Sequence, residues 1–230
     1  MKISFVLFLF FGFTLFQVQG QENVKTYTFK EGEVLDIVLI HKSENADTLF
    51  NRYKKTVFPV GFEYSYQPQS GFTVSKLTLG TNKPDGVLFG KWESKKKREG
   101  FLTTITKRVP DFHQQRRALF PYFGLTYYEI KKDVAFSVDA SKYNVMTALW
   151  QKSQQSEPNF FEQWKAEVLA LGGEVIITLE NGTSPTGYYY NPDILCMVAW
   201  KDEKAFNTFA QKHPLSTYNT LKNVHQFAIQ

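Results

Sequence analysis

Two stretches of the chain, "PDGVLFGKW" from Pro84 to Trp92 and "PDILCMVAW" from Pro192 to Trp200, place a Pro-Asp pair at the same distance ahead of a Trp. They stand at a constant offset of 108 residues, and Phe101 and Phe209 extend the match at that offset. Self-similarity at a long fixed period implies a duplicated architecture, which constrains the fold more than any single motif does. Toward the N-terminus, "VLDIVLIHKS" (Val34 to Ser43) aligns with "NVMTALWQKS" (Asn144 to Ser153) at an offset of 110, setting His41 against Gln151. Phe50, Tyr53, Lys54, Val57 and Gly61 then face Phe161, Trp164, Lys165, Val168 and Gly172, and Val24 faces Val134 in the lead-in segments. Two units result, residues 21 to 130 and 131 to 230.

Each unit has the same order of elements. The apolar runs "VLDIVLI" and "NVMTALW" are rich in strand formers. "ADTLFNRYKKTVFPVG" and "EPNFFEQWKAEVLALGG" carry apolar residues at helical spacing and end at Gly, with Pro158 suited to the first turn of the second helix. In the second unit a strand ("EVIITLE"), a Gly/Pro/Asn-rich turn region and the strand "ILCMVAW" follow, then an amphipathic helix ("KDEKAFNTFAQKH") and a closing strand ("NVHQFAI"). Strand, helix, strand, strand, helix, strand is the ferredoxin-like split unit, so the fold class is α+β. The first unit is longer after Trp92, where a basic insertion intervenes. Insertions and differences between copies are where a distinguishing function is expected, here the insertion, Lys91 against Ala199, and Gly90 against Val198.

A ferredoxin-like unit with a Trp ending its third strand and a following "W-x-x-x-x-A-F-x-x-F" run, from Trp200 to Phe209 here, resembles the dimeric α+β barrel superfamily. The resemblance implies two units that pair their antiparallel sheets, in this case within one chain. It also implies a range of activities that includes cofactor-independent monooxygenases, isomerases, haem-using enzymes and ligand-binding domains, so the fold alone assigns none of them. The Asn, Trp and His set of haem-degrading members has no residue-by-residue match here, and an axial histidine would belong to the second unit alone, because the first has no counterpart of His213 or His225.

The first twenty residues have one Lys, an apolar run from Ile3 to Phe16 and a small residue at Gly20. This is the layout of a cleavable secretory signal, too short in its apolar part to match the roughly 20 residues of a membrane span. The chain is therefore expected outside the cytoplasm, secreted or periplasmic, with no membrane span. Cys196 is the single cysteine, which rules out an intrachain disulfide, and its place inside "ILCMVAW" suits a buried structural thiol.

No P-loop, Rossmann fingerprint, nucleophile elbow or His/Cys metal spacing occurs, and no cofactor or metal is indicated. Aromatic residues and two histidines, His41 at the end of the first strand and His225 within the last, carry the remaining signal. Trp92, Trp150, Trp164 and Trp200, with His41 and His225, are candidates for an aromatic-lined cavity between sheet and helices, set against ordinary core packing for the tryptophans. His225 alternates with Phe227 and points either into a pocket or, as the favoured orientation, to the surface. "GYYYNP" (Gly187 to Pro192) is a candidate loop over one mouth of the cavity.

The insertion holds eleven Lys/Arg against four Asp/Glu between Lys91 and Lys132. Such a cluster attracts polyanions or is simply a solvated face. An exported chain has little access to nucleic acid, so Lys95, Lys96, Lys97, Arg98, Arg116 and Arg117 are candidates for an acidic polysaccharide. The leading expectation is an exported protein that binds a small organic ligand. A cofactor-independent monooxygenase or isomerase, and a polyanion-binding protein, are the alternatives.

Overall fold

The computed structural model describes residues 23–152 and 159–230. The leader-like segment of residues 1 to 20, and Ser153 to Pro158 ahead of the second unit's first helix, lie outside the described residues. After a lead-in strand β1 (Val24–Phe29), the first unit runs β2 (Val34–His41), α1 (Ala46–Thr56), α2 (Phe58–Glu63), β3 (Gln67–Leu79), β4 (Gly86–Trp92), α3 (Lys95–Arg108), α4 (Phe112–Leu119) and β5 (Tyr122–Glu129). The second repeats this plan with β6 (Val134–Asp139), β7 (Tyr143–Gln151), α5 (Phe160–Ala170), β8 (Glu174–Glu180), β9 (Ile194–Trp200), α6 (Glu203–Lys212), a short 3-10 turn (Leu215–Thr217) and β10 (Leu221–Ile229). The insertion is mostly the extra helix α4. The first helix expected through Gly61 is broken at Val57, and α2 restarts with Pro59 in its first turn, where the missing N–H costs nothing.

Eight strands form one antiparallel sheet in the order β5-β2-β4-β3-β10-β7-β9-β8. Each half has the ferredoxin-like order, fourth, first, third, second strand, and β3 pairs with β10 to join them. The outer edges meet through bridges only, with Tyr127 and Thr183 exchanging backbone hydrogen bonds of 2.9 Å. One face of all eight strands packs into a single core that includes Ile37, Phe89, Met146, Met197 and Phe227. The ribbon made by β1 and β6 adds Tyr27, Phe29, Phe136 and Val138 to that core. The opposite face carries the helices, α1 to α4 on the first half and α5 and α6 on the second.

The repeated Pro-Asp pair has the same task in both halves. Asp85 N donates to Ile40 O and the Asp85 carboxylate accepts from Lys42 N at 2.8 Å. Asp193 N donates to Leu149 O and its carboxylate accepts from Gln151 N at 2.6 Å. These contacts correct the alignment of the first strands. Ile40 answers to Leu149 and Lys42 to Gln151, so the offset there is one residue shorter than the letters suggested, and His41 corresponds to Trp150. The lead-in strands agree, since buried Tyr27 and Phe29 match buried Phe136 and Val138. A one-residue slip in a strand moves every side chain to the other face.

Candidate functional site

With the corrected register, the helix-covered face of the two halves can be compared position by position. In the second half Val145 on β7 lies opposite Val198 on β9, and Phe206 on α6 packs over them in a buried apolar cluster. The first half has Asp36 opposite Gly90, with Arg98 on α3 above them. The helix starts are aligned by their caps, Ser94 Oγ accepting from Lys97 N and Asp202 Oδ1 from Ala205 N. A layer that is wholly apolar in one half therefore holds a charged pair in the other.

Asp36 and Arg98 are both almost completely buried, with side-chain exposures of 7% and 3%. Arg98 Nε donates to both carboxylate oxygens at 2.8 Å. Its guanidinium also lies over the Trp92 ring at 5.0 Å and the Tyr127 ring at 5.3 Å. Arg98 Nη1 is buried and has no hydrogen-bond partner among the described residues. Burial raises the Asp36 carboxyl above the ordinary carboxylate range, outweighing the attraction of the Arg98 charge. Gly90 is required beside this pair, because a Cβ there would stand 2.8 Å from Cε2 of Tyr66.

Two neighbouring cavities, about 90 and 220 Å³, open above the pair between sheet and helices. Both are lined by Asp36, Val38, Tyr53, Phe58, Tyr66 and Phe123. Trp92, Arg98 and Tyr188 complete the smaller one. Tyr188 arrives from the turn region of the second half, and it is the part of "GYYYNP" that reaches this cavity; Tyr189 beside it is 87% exposed and Tyr190 is buried elsewhere. Burial pushes the Tyr53, Tyr66 and Tyr188 hydroxyls upward, so all three stay protonated. Arg116 on α4 packs over Phe123 and Tyr188, 5.0 and 5.1 Å from the ring centres.

The candidate residues separate into three places. Trp92 belongs to the cavity just described. Trp164 and Trp200 are core residues of the second half, 5.9 and 4.8 Å from the Phe209 ring and closed against Val168 and Gly173. His41, Trp150 and His225 gather at one end of the sheet around Asn82, Tyr122 and Tyr190, where a third cavity measures about 200 Å³ and is lined by Trp150 and His225. His225 is buried, contrary to the surface orientation favoured from its alternation with Phe227, because both side chains turn to the inner face. Its Nε2 donates to Asn82 O at 2.7 Å, so Nδ1 accepts from the Tyr190 hydroxyl at 3.1 Å. Burial lowers its pKa. Both ring nitrogens are thus engaged within the protein.

Among the basic residues, Arg98 is unavailable to any external polyanion, and Arg116 is half-buried against aromatic rings. Lys95 faces Glu99 at 3.9 Å, Lys96 and Arg117 are exposed, and Lys97 is half-buried. The Cys196 thiol is buried and pushed up to about 12, as a structural thiol would be. No group of three or more His, Cys, Asp or Glu able to hold a metal occurs among the described residues. Haem, which the family resemblance implies for some members, finds no histidine in the cavities of the first half; in the second half Phe161, Trp164 and Trp200 are closed core, and the cavity of about 240 Å³ beside α6 is lined by a His213 that stacks on Phe209 at 5.4 Å and turns Nε2 toward Glu167 at 3.7 Å, so no free axial ligand is presented there. No helix among the described residues is long and apolar enough to cross a membrane.

Asp36, Tyr66 and Phe123 were not anticipated as site residues, Arg98 was expected only as a polyanion contact, and Tyr188 only as part of a loop over the mouth. The available signal was the lone Asp inside "VLDIVLI" together with Gly90 facing Val198 in the repeat.

No family model matches the chain, and no curated protein matches it. Among solved structures it is similar to chlorite dismutase from Candidatus Nitrospira defluvii in complex with imidazole, with a TM-score of 0.51 and 9% identity over 88% of this chain and 92% of that one. It is also similar to an anthrone oxidase-like protein, with a TM-score of 0.49 and 10% identity over 90% and 94% of the two chains. At 9% identity the likeness to the dismutase is one of fold, and together with the strand order of both halves it shows that this chain has the dimeric α+β barrel fold, carried as two ferredoxin-like units in one polypeptide.

Proposed function

We propose that the first unit binds a small, planar organic molecule in the aromatic cavity under α1 to α4, against the Asp36–Arg98 pair. One observation carries this reading. The second unit solves the same packing problem with Val145, Val198 and Phe206, whereas the first buries two charges and leaves Arg98 Nη1 without a partner. Burying ions costs several kcal/mol each unless they are fully compensated. Departures from consistent packing of this kind concentrate at functional sites. An engineered cavity of about 150 Å³ holds a benzene, so the 220 Å³ space suits a substituted single ring. The leader-like segment adds export to the reading, and recovery of a chain starting near Gln21 outside the cytoplasm would test that part.

The binding reading is tested by identifying small molecules that co-purify with the protein, and by thermal shift across a panel of one-ring compounds. A single-ring ligand that raises the melting temperature of the wild type, and has no effect on a Gly90→Val variant, is the expected result. Absence of any such compound would overturn the reading.

A second reading is a cofactor-independent oxygenase or isomerase using the same cavity. Its support is Asp36, a carboxylate with a raised pKa facing an enclosed apolar space, as a general base requires. Turnover of an enolisable aromatic substrate, lost in Asp36→Asn, would separate it from simple binding.

A further inference from the structure

The cavity at the end of the sheet differs in chemistry from the two beside Asp36 and shares no lining residue with them. We propose that it binds a neutral sugar ring, with Trp150 and Tyr189 as the aromatic faces against which the ring lies and Asn223 and Thr81 as hydrogen-bond partners of its hydroxyls. The site forms where equivalent strand ends of the two units meet: His41 stands opposite Tyr122 across β2 and β5, and Trp150 opposite Asn223 across β7 and β10. Tyr122, Trp150 and Asn223 line the space of about 200 Å³. Its inner wall is already satisfied, since His225 bonds the Tyr190 hydroxyl and Asn82 O, and the Asn82 side chain bonds His41 Nε2 at 2.8 Å. The groups left to receive a ligand stand at the mouth, where Thr81, Tyr189 and Asn223 are exposed and Trp150 is half-buried.

Tyr189 is the residue that packing explains least. Its φ is +42°, in the left-handed region that a bulky residue with a Cβ seldom occupies, and a backbone bridge to Leu125 pins it there. The ring is almost fully exposed, so no burial offsets that conformation. A glycine or an asparagine would suit both the backbone and the solvent. Strained backbone of this kind concentrates at ligand clamps.

The lining also sets the class of ligand. None of its side chains carries a charge, and His225 is held neutral because burial lowers its pKa. An ion would lose water there and gain no counter-charge. A wholly apolar molecule would cover the Asn223 amide and the Thr81 hydroxyl without replacing the water they lose. A sugar ring meets both demands: its C–H faces lie against the electron-rich faces of aromatic rings, and its hydroxyls donate and accept as an amide does. A cavity of about 150 Å³ holds a benzene, so this one takes a single six-membered ring with its hydroxyls.

Calorimetric titration of the intact protein with the methyl β-glycosides of glucose, galactose and xylose, and with methyl β-glucuronide, tests this. At least one neutral glycoside is expected to bind at millimolar concentration and to shift the emission of Trp150, the one tryptophan that is not buried. The glucuronide adds a carboxylate that nothing in the cavity pairs, and is expected to bind roughly fivefold or more weakly than the tightest neutral glycoside. Tyr189→Ala and Asn223→Ala, both at exposed positions, are each expected to weaken the neutral glycoside by about fivefold or more with the melting temperature unchanged. Neutral binding that is unchanged in both variants, or a glucuronide that binds as tightly as the neutral glycosides, overturns the proposal. Failure of all three neutral glycosides to bind at millimolar concentration overturns it as well, and leaves the reading of the first unit standing.

Discussion

Asp36 on β2 occupies the place that Val145 holds on β7, each facing the third strand of its own half, at Gly90 and Val198 respectively. The two halves thus compare an ionic and an apolar solution of one packing problem within a single molecule. Asp36→Val should strand Arg98 as an unpaired buried charge and lower the unfolding free energy by about 3–5 kcal/mol. The double change Asp36→Val with Arg98→Met imitates the second half and should recover most of that loss, or exceed the wild type, because well-packed apolar groups often replace a buried pair without cost. Urea unfolding of the three proteins measures both effects. A double variant as unstable as the single one would show that the pair is needed for folding and would remove the argument that it is retained for a ligand.

Gly90 makes the ionic solution possible. A side chain there meets Tyr66 Cε2 at 2.8 Å and Asp36 Cβ at 3.3 Å, so Gly90→Val forces the Tyr66 ring toward the cavity. Overpacking of this sort costs about 1–3 kcal/mol, and ligand binding should disappear with it. Trp164→Phe, a change in the packed layer of the second half, should lower stability by a comparable amount with no effect on binding. Thermal melts with and without a bound single-ring ligand distinguish the two cases.

The element order and the equivalence of the Pro-Asp pairs were readable in the repeat, because turn and cap residues have few chemical substitutes. The register of the first strands was not. "VLDIVLI" and "NVMTALW" are buried on both faces, so the period of two that fixes a strand's orientation is hidden in their composition. The matching Lys-Ser letters that suggested the longer offset stand at or beyond the strand ends, at Lys42 and Lys152, where the chain is free to differ in length. That slip set His41 against Gln151 and Asp36 against Met146, a residue of the inner core, which concealed the contrast with Val145. The tryptophans were conspicuous as letters, yet only the contact pattern separates Trp92, beside a cavity, from Trp164 and Trp200 in solid core.

The shared task of Asp85 and Asp193 also makes a quantitative expectation. Each carboxylate takes up the backbone N–H just past the end of a first strand, Lys42 in one half and Gln151 in the other. Asp85→Ala and Asp193→Ala should each cost about 1 kcal/mol, the net worth of a typical hydrogen bond, and the two should add, since the sites share no partner. Chemical denaturation of both singles and the double variant checks this. A neutral outcome at one site alone would show that the two turns are only superficially alike.

The buried titrating groups give opposite pH dependences. His225 is held neutral by burial, so its folded-state pKa lies below the ordinary 6.5. In the window below 6.5 the unfolded chain binds more protons than the folded one, and the linked stability, complete above that value, is lost as the pH falls. Asp36 is shifted the other way, its folded-state pKa standing above the ordinary 3.8. Its contribution is complete below 3.8 and is lost as the pH rises through the folded value, where the folded carboxyl gives up a proton that the unfolded chain has already released. The wild type should therefore lose more stability than His225→Gln between pH 7 and pH 5 in urea titrations. The stability of the wild type relative to Asp36→Asn should decline as the pH is raised from 4 and then level off. A relative stability that instead rises with pH would mean that Arg98, and not burial, dominates the Asp36 carboxyl.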